Sequence, residues 1–192
     1  EKTRTHDEAW YRDHDVEVLL ATRASTLDPA TRTVTTEVGD PDGSAAPDVL
    51  GEPTDYDLIL PMGSNYSVYD TATIGGWIGD ELDFLRRAAA ADVPVLGSCF
   101  GSQALAAALG GQVVRSEQQQ VGWTPLAVDD GWGLPGGPWM QWHYDRFEPP
   151  ADATVIARDH VGVQAFTVRR HLGVQFHPEV TYDHVRGWVE SG

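Results

Sequence analysis

Cys99 is the single cysteine of the 192-residue sequence, and it stands in Gly97-Ser98-Cys99-Phe100-Gly101. An apolar run at 93–96 precedes it, and an alanine-rich run at 102–109 follows. One cysteine can form neither an internal disulfide nor a zinc–thiolate cage. A thiol on a Gly-x-Cys-x-Gly turn between a strand and a helix suits a nucleophile on an elbow. The glycines permit the sharp turn and the close approach of a substrate. The helix start beyond it offers N–H groups and the positive end of a dipole, from which a thiolate is expected. The plain alternative is a small buried apolar residue, as most free cysteines are.

The second constellation is Gly173-Val174-Gln175-Phe176-His177-Pro178-Glu179. Residues 173–176 have the pattern of a strand, and Pro178 disfavours a helical His177. In extended chain, residues two apart point to the same side, so His177 and Glu179 can face each other across the proline. A base and its orienting carboxylate need that arrangement. Alone, His-Pro-Glu also fits a strand-end turn with a surface histidine.

The elbow and the His-Pro-Glu segment occur with the helix end Leu109-Gly110-Gly111, Val121-Gly122-Trp123 and Trp142-His143-Tyr144-Asp145. In this order and at this separation the chain resembles a class I (triad-type) glutamine amidotransferase domain over about residues 56–189. The resemblance implies an α/β fold: a three-layer sandwich of flavodoxin-like type with a central, mostly parallel sheet. It also implies a Cys99–His177–Glu179 triad, glutamine as the amide donor, and a substrate contact from Gln103, with Gly101 and His143 as further candidates. The family's oxyanion loop commonly contains Gly-Gly-Pro. Here the matching stretch is Pro61-Met62-Gly63-Ser64-Asn65, with one glycine at the turn. Oxyanion donors are therefore expected from Phe100 and from Gly63 or Ser64.

On that resemblance Cys99 would attack the glutamine carboxamide to form a thioester, and His177 would protonate the departing ammonia and then activate water. A separate synthase or ligase would capture the ammonia. No cofactor or metal is called for. Two other readings stay open: a cysteine hydrolase of γ-glutamyl amides or peptides, and a catalytically silent regulatory subunit.

The elements that must position these residues alternate in the α/β manner. Thr5-His6-Asp7-Glu8 has the form of a capping box before a short helix, and residues 16–21 form a strand pattern. Residues 25–55 are polar and rich in Pro, Gly and Asp, with a brief strand at 34–38. This stretch is expected to be a surface excursion rather than a cover over the site. Residues 56–60 form a buried-strand pattern that ends at the oxyanion loop. Ile78, Leu82, Leu85 and Ala89 fall at helical spacing, with acids early and Arg86 and Arg87 late. Strands are expected at 112–114, 124–128, 154–158, 162–169 and 173–176. Tyr182, Val185, Trp188 and Val189 mark a closing helix.

Trp132, Trp139 and Trp142 lie in a segment punctuated by glycine and proline, expected to be a loop. They suit a pocket wall, a partner-docking surface, or packing beneath the loop.

Twenty-nine acidic residues against thirteen basic ones give a formal charge of −16. Such a field repels nucleic-acid phosphates and anionic membranes. No apolar run is long enough to span a bilayer. One domain is expected from the length, and the lone cysteine fits a reducing cytoplasm.

Overall fold

A computed structural model describes residues 22–28, 33–38 and 51–190. The chain falls into two compact units, Glu1–Leu50 and Gly51–Gly192. In the first, β1 (Thr22–Asp28) and β2 (Thr33–Val38) form an antiparallel hairpin, with a register shift between Ala24 and Thr26. The strand expected at 34–38 is therefore present, and it has a partner that the polar composition hid. The capping box at Thr5 and the strand expected at 16–21 lie outside the described residues.

The second unit is mixed α/β. Its five-stranded sheet has the order β3 (Leu96–Ser98), β9 (His171–Val174), β8 (Val163–Val168), β7 (Thr154–Arg158), β5 (Ala127–Val128). Parallel pairing lies at the end that carries Cys99: β3 runs parallel to β9, and Ile59 bridges Val95 in parallel on the other side. From β9 the sheet continues antiparallel through β8 and β7 to β5. Residues 56–60 do not form the buried strand expected of them. Among the described residues they pair only at Ile59, and Leu58 and Leu60 stand exposed on either side of it.

Alternation along β8 divides the core between the two faces of the sheet. Phe166 and Val168 join one apolar cluster, and Ala165 joins the other with Val174 and Phe176. The first cluster takes α2 (Ile78–Ala90) through Ile78, Leu85 and Ala88. It takes α3 (Phe100–Ala108) through Phe100, Ala104 and Leu105. A short helix, α1 (Thr71–Ile74), contributes Ile74, and Asp70 caps it by accepting from Thr73 N–H. Gly173 leaves room for Phe166: a β-carbon there would stand 2.4 Å from the Phe166 ring. Truncating that fully buried phenylalanine to alanine would cost about 3–5 kcal/mol. The closing helix is α4 (Tyr182–Glu190). Among the described residues no helix is long and apolar enough to cross a membrane.

The largest departure from the sequence pattern is a separate two-stranded ribbon, β4 (Gln112–Thr124) paired antiparallel with β6 (Trp139–Glu148). The segment expected to be a tryptophan-bearing loop is thus partly β6. Its alternation is inverted: Gln141, His143 and Asp145 are buried, whereas Trp142 and Tyr144 are exposed. A polar face turned inward on a strand is uncommon, because each buried polar atom needs a partner.

Candidate active site

Cys99 sits at the N-cap of α3 with φ 51° and ψ −112°, backbone angles that a side-chain-bearing residue rarely adopts. Surrounding hydrogen bonds hold this conformation. Cys99 N–H donates to Val174 O at 2.9 Å, and the Cys99 carbonyl accepts from Ser102 N at 3.0 Å, Gln103 N at 3.1 Å and Ser102 Oγ at 2.7 Å. The flanking glycines are required by contact. A β-carbon on Gly97 would lie 2.6 Å from Gly101 O, and one on Gly101 would lie 1.9 Å from Pro61 O. The strand-to-helix turn is therefore wedged between β9 and the Pro61 segment, and the thiol is presented at its tip.

Parallel pairing of β3 with β9 carries His177 to the same end of the sheet, just past β9. His177 N–H donates to Met140 O at 2.9 Å, tying that turn to β6. Val180 N–H returns to His177 O at 3.3 Å and closes a turn over Pro178. Within it, His177 Nδ1 lies 2.6 Å from Glu179 Oε1. The carboxylate accepts, so Nδ1 carries hydrogen.

Both groups open on a cavity of about 780 Å³. Of the residues singled out in the sequence, Gly63, Ser64, Cys99, Gln103, His143, His177 and Glu179 line it. Gly101 does not: its N–H is taken by Met62 O at 3.0 Å, and its α-carbon packs on Pro61. Phe100 turns its side chain into the core, and its backbone N–H reaches the Cys99 thiol. Gln103 lends its amide nitrogen to Asp145 O at 3.2 Å and Gln175 Oε1 at 3.3 Å. Both His143 ring nitrogens are engaged, with Asp145 O at 2.8 Å and Gln141 Oε1 at 3.0 Å. His143 is thus a wall of the cavity whose polar atoms turn away from it.

The expected ready-made thiolate is not what the surroundings favour. Burial pushes the Cys99 thiol up to about 12, and the Glu179 and Asp145 charges push the same way against the Phe100 N–H. Desolvation is the largest influence on the sulfur, and it outweighs the Phe100 N–H that favours the thiolate.

Sequence reasoning missed a polar cluster beside the site. The Asp145 carboxylate accepts from Ser67 Oγ and from Tyr69 Oη at 2.8 Å, and Arg115 stands 3.5 Å from it. The Arg115 guanidinium lies 5.1 Å from the centroid of the Tyr144 ring. The five residues come from a loop and two strands, and only the inverted polarity of β6 hinted at them. Among the described residues no group of His, Cys, Asp and Glu could hold a metal ion.

Residues 32–185, most of the chain, match the family Glutamine amidotransferase class-I. The chain belongs to that family. A glutamine amidotransferase from Methylobacillus flagellatus superposes on this class I amidotransferase domain with a TM-score of 0.71 at 29% identity, covering 85% of this chain and 67% of that one. A Thermotoga maritima glutamine amidotransferase shares the fold, with a TM-score of 0.68 at 23% identity over 96% of this chain and 74% of that one. Similar sequences include "GMP synthase [glutamine-hydrolyzing]" of Sodalis glossinidius, 38% identical over 110 residues, 48% of this chain and 21% of that protein. The same enzyme of Parafrankia sp. is 43% identical over 103 residues, 48% of this chain and 19% of that protein. The match thus spans about a fifth of the length of these curated relatives.

Proposed function

We propose that the chain hydrolyses the side-chain amide of glutamine through Cys99, His177 and Glu179 and passes the ammonia to a separate synthase or ligase. The observation that carries this reading is the meeting of three features in one cavity: a thiol on a positive-φ elbow, an imidazole beside it, and a carboxylate 2.6 Å from Nδ1 of that imidazole.

With Nδ1–H donated to Glu179, the Nε2 lone pair of neutral His177 is the basic atom. Because burial disfavours the thiolate, proton transfer from Cys99 to His177 accompanies attack on the carboxamide carbon instead of preceding it. The C–N bond then breaks as His177 returns the proton to nitrogen, leaving a thioester and ammonia. Water, deprotonated by His177, releases glutamate and restores the thiol. Backbone N–H groups of Phe100 and of Gly63 or Ser64 are the proposed oxyanion donors, and each such donor is worth on the order of 10²–10³ in rate. The carbonyl of Trp142, 3.9 Å from the sulfur, orients the resting thiol.

GMP synthase relatives are named as glutamine-hydrolyzing, which supports a synthase as the ammonia acceptor. With one cysteine and a charge of −16, the proposed place of action is the cytoplasm, away from nucleic acid and membrane surfaces.

The test is release of ammonia and glutamate from glutamine by the native chain and by Cys99→Ala. Release that disappears in the variant supports the proposal. If neither release nor labelling of Cys99 by an electrophilic glutamine analogue occurs, glutamine is the wrong substrate.

A further inference from the structure

Four side chains continue inward from His143. Gln141 donates from Nε2 to Gln164 Oε1 at 3.1 Å, Gln164 donates to Gln120 Oε1 at 3.0 Å, and Gln120 donates to Asp159 Oδ2 at 2.5 Å. Gln141 is wholly buried, Gln164 and Gln120 nearly so, and Asp159 lies half-buried where β7 turns into β8. Gln120 stands opposite His143 in the β4–β6 ladder, and Gln164 faces both from β8.

The oxygen and nitrogen ends of a glutamine amide are nearly alike in size and shape, so the groups at the two ends of the chain set its direction. At one end is Asp145 O, a carbonyl that can only accept, so His143 Nδ1 must carry hydrogen. At the other end, Asp159 Oδ1 accepts from Val161 N at 2.8 Å and Gly162 N at 3.1 Å, as an ionised carboxylate does. Its Oδ2 then accepts from Gln120, and every amide is aligned oxygen-first toward His143. Gln141 Oε1 therefore meets His143 Nε2 as an acceptor, and Nε2 must carry hydrogen as well. A singly protonated ring would leave two buried acceptors facing each other with no hydrogen between them. The alternative, all three amides reversed, requires the proton on Asp159 Oδ2 and opposes the two N–H groups at Oδ1.

We infer that Asp159 acts through Gln120, Gln164 and Gln141 to hold His143 as an imidazolium in the wall of the cavity that contains Cys99. Asp159 is then a positioning residue remote from the reacting atoms. Its consequence for the reaction, a positive charge in the wall of the cavity where negative charge develops on Cys99, rests on the proposed role of Cys99. The groups facing His143 are Asp145 from its own strand, Asp159 through the chain, His177 from the turn after β9, and Cys99, Arg115 and Glu179 across the cavity. The His143 pKa is lowered, by burial first and also by the His177 charge, against the bond to Asp145 O and the Asp159 and Asp145 charges. The hydrogen-bond directions settle that contest for the second proton, since either neutral tautomer breaks one end of the chain.

The deciding measurement is nitrogen-15 NMR of the histidine rings in the native chain near neutral pH, with His143 assigned by its substitution to Asn. Both His143 nitrogens protonated supports the inference, and one protonated nitrogen overturns it. This readout is independent of glutamine hydrolysis, so it separates the two proposals. In Asp159→Asn the carboxamide can donate to Gln120, the amides can reverse, and His143 is expected to lose one proton. Alkylation of Cys99 by iodoacetamide should then slow on the order of tenfold at fixed pH. An unchanged imidazolium in Asp159→Asn would overturn the assignment of Asp159.

Discussion

Gly63 stands between His177 and Cys99: a β-carbon there would lie 3.1 Å from His177 Cε1 and 3.7 Å from Cys99 Cβ. Cys99 and His177 are thus near enough to share one neighbour, and that neighbour has no side chain. Gly63→Ala should push the imidazole by a few tenths of an ångström while leaving the fold unaltered. Misplacement of about 1 Å can cost 10²-fold, so a fall in kcat on the order of tenfold is expected. Steady-state glutamine hydrolysis beside thermal melting would check it. An unchanged kcat would remove His177 from the reaction.

Glu179→Gln keeps a similar shape but loses the acceptor-only partner that holds hydrogen on His177 Nδ1. The expected fall in kcat is on the order of 10²-fold, below the extreme for a buried triad acid because this carboxylate is partly exposed. KM should hardly change, and Cys99 should still be alkylated. Kinetics with a thiol-labelling control would separate lost catalysis from lost structure.

The thiol makes a prediction in pH. Its pKa, raised to about 12 by burial, lies above the ordinary value of 9.0, so the sulfur stays protonated at neutral pH. Alkylation of Cys99 should quicken about tenfold per pH unit through neutrality and past pH ~9, with no plateau near 7. A group whose folded pKa is raised stabilises the fold below its unfolded pKa, and that contribution fades as pH rises from 9.0 toward about 12. A plateau near neutrality would mean a preformed thiolate–imidazolium pair.

His171 is fully buried, and among the described residues neither ring nitrogen meets a hydrogen-bond partner. Burial lowers its pKa, helped by Arg169 and Arg170 and opposed by Asp92. The folded state therefore resists protonation that the unfolded chain accepts. Stability should be present above the ordinary histidine pKa of ~6.5 and be lost as pH falls from there toward the depressed folded value. His171→Leu should flatten that acid limb and stabilise the fold by about 1–3 kcal/mol by removing orphaned polar atoms. Melting curves across mildly acidic pH would read both effects.

Much of the site was legible because its logic is local. Gly97 and Gly101 announce the elbow around Cys99, and Pro178 holds His177 and Glu179 where they meet within one turn. The helices at 78–90 and 100–108 follow apolar spacing and propensity, which depend on near neighbours in sequence. The polar surroundings were not legible. Asp145 gathers Ser67, Tyr69 and Arg115, and Gln120, Gln141 and Gln164 find one another only when β4 lies against β6 and β6 against β8.

By itself the sequence determined the family, the α/β class and the candidate side chains for chemistry, since motif spacing and backbone preference are short-range properties. Tertiary structure alone decided that Trp142 and Tyr144 face outward while Gln141, His143 and Asp145 turn in. A buried polar face is stable only when distant strands supply every partner, and no residue's own propensity encodes those partners. It also raised the pKa of Cys99, because desolvation depends on everything packed around the sulfur.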